Sequence, residues 1–108
     1  MNAVIVTTCR MATVGTLSEP YYKYLQNIVG GYIEIVRPRG LPWPFCMIVD
    51  EEGRLKRKAI NEIGSALYQA GQHKEPIVGD IAIVKEVETK EGPSITETAQ
   101  AHRSFLRT

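Results

Sequence analysis

The sequence predicts a single α+β domain over residues 1–108, in which two to three helices cover a small, mainly antiparallel sheet of about five strands. Short segments rich in β-branched residues recur along the chain, and several are close enough in sequence to form hairpins, whose strands are antiparallel. Two segments have the spacing of amphipathic helices. A chain of 108 residues supports one domain with one modest hydrophobic core.

The centre of the predicted fold is a helix, a glycine pair and a strand that follow one another directly. The predicted apolar face of the helix consists of Tyr21, Leu25, Ile28 and Val29. Ser18 is the candidate N-cap, with Pro20 in the first turn. A glycine just past a helix adopts positive φ at little cost, so Gly30 and Gly31 end the helix and turn the chain. The central strand then runs over 32–37.

The other predicted strands are bounded by turn residues. The full set comprises 3–8, 11–17, 32–37, 45–49, a short return strand over 54–58, and 81–84. The stretch Asp50-Glu51-Glu52-Gly53 forms the tight turn before the return strand, because its glycine suits positive φ. Glu34, within the central strand, is expected to be exposed and paired across the sheet with a Lys or Arg.

Two further helices are predicted in the second half of the chain. Asn61 is the N-cap of a helix over 62–70. Its predicted buried face consists of Ile63, Ala66, Leu67 and Ala70. Residues 86–93 are polar and contain a Gly-Pro break. Ser94 then begins a capping box with Glu97, which predicts a last helix after residue 94.

The overall charge excludes two classes of protein. Thirteen Lys and Arg residues stand against twelve Asp and Glu residues, which leaves a formal charge of +1. A DNA mimic needs a large acidic excess, and a globally basic nucleic-acid binder needs a large basic one. No apolar run approaches the roughly 20 residues of a membrane span, and the first residues lack the pattern of a signal peptide. A cytoplasmic setting, without a membrane partner, is therefore expected.

The sequence contains no recognisable catalytic or metal-binding constellation. It lacks a P-loop, a Gly-x-Gly-x-x-Gly motif, a nucleophile elbow and the His or Cys spacings of a metal site. Cys9 and Cys46 are predicted to be small buried residues in or beside strands, and a disulfide between them stays open. His73 is expected in a polar loop and His102 in the packing of the last helix. The sequence therefore predicts no cofactor, no metal and no catalytic residue.

Basic residues and the only tryptophan mark the surface that we predict to bind a ligand or partner. The predicted site consists of Arg37, Arg39, Trp43, Arg54, Lys56 and Arg57. The first three lie in or beside the Pro-rich loop 38–44 and the others follow the turn, so the groups converge if their strands are neighbours. Arginine suits a phosphate, and tryptophan stacks on a base. Alternation along the return strand favours Arg54 and Lys56 over Arg57. The alternative is a solvated hairpin edge that Lys and Arg keep from aggregating.

Several motifs, in this order, resemble those of a family of short bacterial, phage and mobile-element proteins that is catalogued only as a domain of unknown function. They are the stretch Gly30-Gly31-Tyr32-Ile33-Glu34-Ile35-Val36, the turn Ile48-Val49-Asp50-Glu51-Glu52-Gly53, Asn61, and Ile77-Val78-Gly79-Asp80-Ile81-Ala82-Ile83-Val84. The resemblance covers most of the chain, and the Pro-rich loop with its tryptophan departs from it. It implies a fold and a phage or mobile-element setting, and it supplies no activity.

Two function classes stay open. The first is a small non-catalytic binding protein of phage or mobile-element type, which acts on a host protein or a nucleotide-type ligand, for example against host defence. The second is a nucleic-acid-binding accessory protein that uses the basic hairpin; an enzyme is the least favoured class. Binding that falls steeply with salt would favour the second. Exposed edge strands and a modest core are also compatible with a homodimer.

Overall fold

The computed structural model describes residues 2–38, 40–69, 75–89 and 92–94, with the side chains of 87–89 and 92–94 left out. The elements of this part are β1 (Asn2–Val6), β2 (Ala12–Thr16), α1 (Tyr21–Val29), β3 (Ile33–Val36), β4 (Phe45–Asp50), α2 (Glu62–Gln69), β5 (Ile81–Lys85), β6 (Val87–Thr89) and β7 (Gly92–Ser94). Strands β1 to β5 form one antiparallel sheet in the order β2-β1-β5-β4-β3, and β6 and β7 form a separate pair. The predicted α+β class, with two helices packed on an antiparallel sheet of five strands, is confirmed.

Each face of the large sheet carries its own apolar cluster, because alternate residues of a strand point to opposite faces. The cluster beside α1 contains Ala3, Leu17, Leu25, Val29, Ile33, Cys46, Ile48, Ala82 and Val84. The cluster beside α2 contains Val6, Met47, Val49, Ile77 and Ile81, with Ile63, Leu67 and Tyr68 packed against it. Strands β4 and β5 contribute to both clusters, which explains why their sequences are almost continuously apolar.

The glycine pair ends α1 as predicted, and its two members are needed for different reasons. Gly30 has a φ of 81° and donates its N–H to the carbonyl of Gln26 at 2.7 Å. Gly31 does not have positive φ, but a Cβ there would lie 2.8 Å from Oδ1 of Asp50 and closer still to the amine of Lys56. Gly30 therefore supplies the left-handed turn, and Gly31 lets the turn after β4 approach the helix end.

Replacing Gly30 with valine is expected to lower the free energy of unfolding by about 1 kcal/mol or more, because a β-branched residue is strained at positive φ. Chemical denaturation measures the change. The matched control is Asn27→Ala, an exposed position of the same helix, which should change stability by less than about 0.5 kcal/mol. Equal stability of the Gly30→Val variant and the wild type would show that the helix end tolerates another conformation.

The start of α1 differs from the prediction. The helix begins at Tyr21, and its N-cap residue is Pro20, which is extended and makes no side-chain capping bond. Ser18 therefore lies outside the helix and does not cap it. Proline fixes its own φ, which places the chain correctly for the first turn without a capping side chain.

The predicted return strand over 54–58 is wrong. The chain after β4 instead continues through successive turns, in which Lys56 N–H donates to Glu52 O at 3.0 Å and Lys58 N–H to Gly53 O at 3.2 Å. The alternation of side chains assumed for this segment is lost with the strand. The predicted partner of Glu34 is also absent, because Glu34 lies opposite Val49 in the sheet and forms no ion pair within the described residues.

Helix α2 begins after Asn61, as predicted, and the side-chain oxygen of Asn61 accepts the N–H of Gly64 at 2.9 Å. Its buried face is only partly as predicted, since Ala66 is exposed while Gly64 and Ser65 are buried. A Cβ at Gly64 would lie 2.8 Å from Ile81, so the helix approaches the sheet through its glycine and turns Ala66 to solvent.

The last part of the chain contains a pair of strands that the sequence did not predict. The segment over 86–93, interpreted as polar with a break, includes β6 and part of β7. Ser94 belongs to β7, and Ala70 and the predicted last helix lie outside the described residues.

Candidate functional site

The antiparallel pairing of β3 and β4 separates the predicted basic residues into two groups. Val36 lies opposite Met47, and Ile33 lies opposite Asp50. Arg37, which follows β3, is therefore at one end of the sheet, and Arg54, which follows β4, is near the other. We call these the loop end, where the segment 37–44 joins the two strands, and the turn end, where the segment 50–58 leaves β4. The five predicted residues that the structure describes do not form one face.

At the loop end, Arg37 is held by a buried carboxylate. Its Nε donates to both carboxylate oxygens of Glu86 at 3.1 Å, and its Nη2 donates to one of them at 2.6 Å. The Glu86 side chain is almost fully buried, whereas Arg37 is half-exposed. The hydrogen bond to Glu86 raises the pKa of Arg37 above its already high ordinary value. The pair is electrically balanced and fixes the guanidinium in one place.

The loop beyond Arg37 is fixed by backbone hydrogen bonds. Leu41 N–H donates to Pro38 O and Phe45 N–H to Pro42 O, each at 3.0 Å, and Glu86 N–H donates to Pro44 O at 2.6 Å. The last bond ties the loop to the same residue that holds Arg37. Arg39 lies outside the described residues. We call the described residues of this loop, 37, 38 and 40–44, the platform.

Two aromatic side chains are exposed on and directly after this platform. Trp43 is 55% exposed, as its place in the loop predicted, and Phe45 is 44% exposed. Phe45 was missed by the sequence analysis because it was treated as an ordinary strand residue. Its position directly after Pro44, at the first residue of β4, was the available signal. We call Trp43, with Phe45 two residues along the chain, the Trp43 surface.

At the turn end, two lysines are bound to a buried carboxylate. Asp50 Oδ2 lies 2.9 Å from Lys56 Nζ and 2.7 Å from Lys58 Nζ, and Asp50 Oδ1 accepts the N–H of Glu52 at 2.9 Å. The same amines donate to the last carbonyls of α1, Lys56 to Gly30 O at 3.1 Å and Lys58 to Val29 O. Cations favour this negative end of a helix. We call Asp50, Lys56 and Lys58 the Asp50 cluster.

The Asp50 cluster connects the Val-Asp-Glu-Glu-Gly turn to the glycine pair at the end of α1. Burial by itself raises the pKa of Asp50, but the hydrogen bonds from Lys58, Lys56 and the Glu52 N–H outweigh it and leave the pKa below its ordinary value. Asp50 is thus charged at neutral pH and forms ion pairs with both lysines. Lys56, a predicted site residue, is occupied in joining the turn to α1.

Arg54 is also paired, and it lies beside carboxylates. It forms an ion pair with Glu75 and donates to Pro76 O at 3.1 Å. A cleft of about 240 Å³ next to it is lined by apolar residues and by four acidic residues, Glu34, Asp50, Glu51 and Glu75. This excess of acidic residues beside one arginine disfavours an anionic ligand there. Of the predicted cations at this end, only Arg57 is exposed and forms no ion pair within the described residues.

The two cysteines are not joined in a disulfide. Both are free, with Cys46 buried and Cys9 exposed in the turn between β1 and β2, so the predicted burial of Cys9 is wrong. Burial, together with the nearby Glu86 carboxylate, raises the pKa of Cys46 to about 12. Cys46 is therefore a neutral thiol at physiological pH. The described residues hold no group of three or more His, Cys, Asp or Glu side chains that could bind a metal ion, and His73 and His102 lie outside them.

No helix in the described ranges is both long enough and apolar enough to cross a membrane. Neither the curated proteins nor the solved structures contain a match to the sequence. One family model matches, described as a domain of unknown function (DUF3846), and the match extends over residues 1–106. The chain therefore belongs to the DUF3846 family.

Proposed function

We propose that this chain is a small non-catalytic binding protein that engages a protein partner through the Trp43 surface. The observation that carries the proposal is the exposed Trp43 on a loop that forms local turns at Pro38 and Pro42 and is bonded to Glu86, after β5, at Pro44. Trp and Arg are enriched among the residues that dominate protein interfaces. A platform that is already ordered loses little conformational entropy on binding, which favours affinity.

The charges at the two ends of the sheet support a protein rather than a polyanion as the partner. Arg37 is paired with Glu86 and Arg54 with Glu75, while the two lysines of the Asp50 cluster share the Asp50 carboxylate and donate to carbonyls at the end of α1. A phosphate would have to compete with these carboxylates for each cation. The nucleic-acid alternative, which needs a free basic surface, loses most of its support. A nucleotide-type ligand that stacks on Trp43 is the other outcome that the experiment below resolves.

The biological setting rests on the family resemblance found in the sequence. We place the protein in a phage or mobile element, acting in the cytoplasm of the bacterial host. A host protein, for example a component of host defence, is then the natural partner.

Capture from a host lysate, followed by binding measurements with the purified captured molecule, tests the proposal. Replacing Trp43 with alanine should weaken binding by about tenfold or more, because truncating a central aromatic residue of an interface costs on the order of 2 kcal/mol. Leu55→Ala is the matched control, since Leu55 is equally apolar, 81% exposed and located at the turn end. Circular dichroism and a thermal melt establish that both variants are folded.

The same measurement at low and high salt separates the alternatives. A protein partner should show a modest salt dependence, and Leu55→Ala and Arg57→Ala should bind as tightly as the wild type. A captured nucleic acid whose affinity falls steeply with salt and depends on Arg57 would contradict the proposal. Unchanged binding by a folded Trp43→Ala variant would show that the Trp43 surface is not part of the binding site.

A further inference from the structure

The two edges of the five-stranded sheet differ in how they are protected. Strands β2 and β3 form these edges. Strand β3 contains the charged Glu34 and is followed by Arg37 and Pro38. Charged residues and proline at a sheet edge disfavour pairing with another chain. Strand β2 lies in an uncharged, proline-free stretch over 11–17, and within the described residues it pairs on one side only, with β1. Among the described residues, the β2 edge is therefore the one that is open to a further strand.

An apolar row crosses the sheet and ends at this open edge. Val14 lies opposite Val4, Val4 opposite Ile83, and Ile83 opposite Met47. All of these side chains share the face on which α2 packs, because residues opposite one another in a ladder point to the same side. The row is fully buried at Met47 but 74% exposed at Val14. The apolar surface thus continues outward to the edge and stops there.

We propose that β2 pairs antiparallel with β2 of a second copy of this chain, about a two-fold axis that passes beside Val14. This arrangement would place Val14 opposite Val14 of the partner subunit and extend both the sheet and its apolar row across the dimer. The unpaired backbone groups of β2 would be satisfied, and the exposed side chain of Val14 would be covered.

The sequence of β2 is suited to pairing with itself. In this register Ala12 lies opposite Thr16 of the partner subunit, and Thr13 lies opposite Gly15 of the partner subunit. Each pair joins a smaller and a larger residue, and no charge faces another charge. The nearest charged residue before the strand, Arg10, forms an ion pair with Glu62 of its own chain. A two-fold axis requires such a self-complementary surface.

The proposal predicts that the wild-type protein is a dimer in analytical ultracentrifugation and that charge at Val14 disrupts it. Val14→Lys and Val14→Glu should each shift the equilibrium toward monomer by tenfold or more, because like charges would face each other across the axis. Mixing the two variants should restore a dimer, since a lysine then faces a glutamate. Val14→Thr, which keeps a β-branched uncharged residue, is the matched control and should remain dimeric.

Rescue by mixing is specific to the proposed register, because only a self-pairing of position 14 brings the two new charges together. A wild-type protein that stays monomeric at all concentrations would overturn the proposal. So would Val14→Lys and Val14→Glu variants that are folded and dimeric when separate, or that stay monomeric when mixed. These outcomes are independent of binding at the Trp43 surface, which is at a different place on the sheet.

Discussion

Asn61→Ala is expected to lower the free energy of unfolding by about 3–5 kcal/mol. Asn61 is 0% exposed. Its side-chain amide donates to Val6 O and to Gly79 O, each at 2.9 Å, and its side-chain oxygen accepts the Gly64 N–H at 2.9 Å. Removing the side chain would leave three buried backbone groups without a partner, and each costs about 1–3 kcal/mol in a non-additive way.

The position of Asn61 in the chain makes this effect global rather than local. The three bonds connect β1, the start of α2 and the segment before β5, and Ser65 in the next turn reinforces the link by exchanging hydrogen bonds with Ile77. Chemical denaturation of Asn61→Ala and of the exposed control Asn27→Ala measures the difference. Asn61→Asp should also be strongly destabilised, because a carboxylate cannot donate to the two carbonyls. A loss below about 1 kcal/mol in Asn61→Ala would show that water replaces the amide.

Asp50→Asn is expected to be the second most damaging substitution, at about 2 kcal/mol. Breaking a fully buried ion pair costs about 3–5 kcal/mol, but Lys56 and Lys58 are partly exposed and regain hydration when Asp50 loses its charge, which reduces the cost. The asparagine keeps an oxygen that can accept the Glu52 N–H. The loss of stability in Asp50→Asn therefore measures the contribution of the negative charge of Asp50.

The cost of Asp50→Asn should depend on pH with a defined sign. The pKa of Asp50 is lower in the folded protein than in the unfolded chain, where it is about 3.9. Its stabilising contribution is thus complete above that unfolded value and is lost as the pH falls through the folded value. The difference in unfolding free energy between wild type and Asp50→Asn should be constant near neutral pH and shrink below about pH 4. Glu62→Gln, at an exposed ion pair, is the control and should show a much smaller difference.

The features that were predicted correctly from the sequence are determined by residues close to one another in the chain. A positive φ at Gly30 and a capping oxygen on Asn61 follow from the preferences of single residues at helix ends. The apolar faces of α1 and of the strands follow from short periodicities. Each of these features is determined by a few consecutive residues, so it can be predicted without knowledge of the tertiary fold.

The features that were missed depend on contacts between distant parts of the chain. Arg37 and Arg54 were expected to converge, but antiparallel pairing of β3 and β4 places them at opposite ends of the sheet. Lys56 was expected on a strand, but its amine turns back to Asp50 and to the end of α1. Glu86, a polar residue in a polar segment, is buried because it receives the guanidinium of Arg37. Except for Lys56 and Asp50, the residues in these contacts lie far apart in sequence.

Hydrogen exchange of the wild-type protein, measured free and bound to its captured partner, tests most directly whether the Trp43 surface is the binding site. It requires no substitution and therefore cannot be confused with a loss of folding. We predict that binding slows exchange of the backbone amides over 40–45 and leaves those over 54–57 unchanged. Slower exchange confined to 54–57, with the loop unaffected, would contradict the account and assign binding to the basic turn.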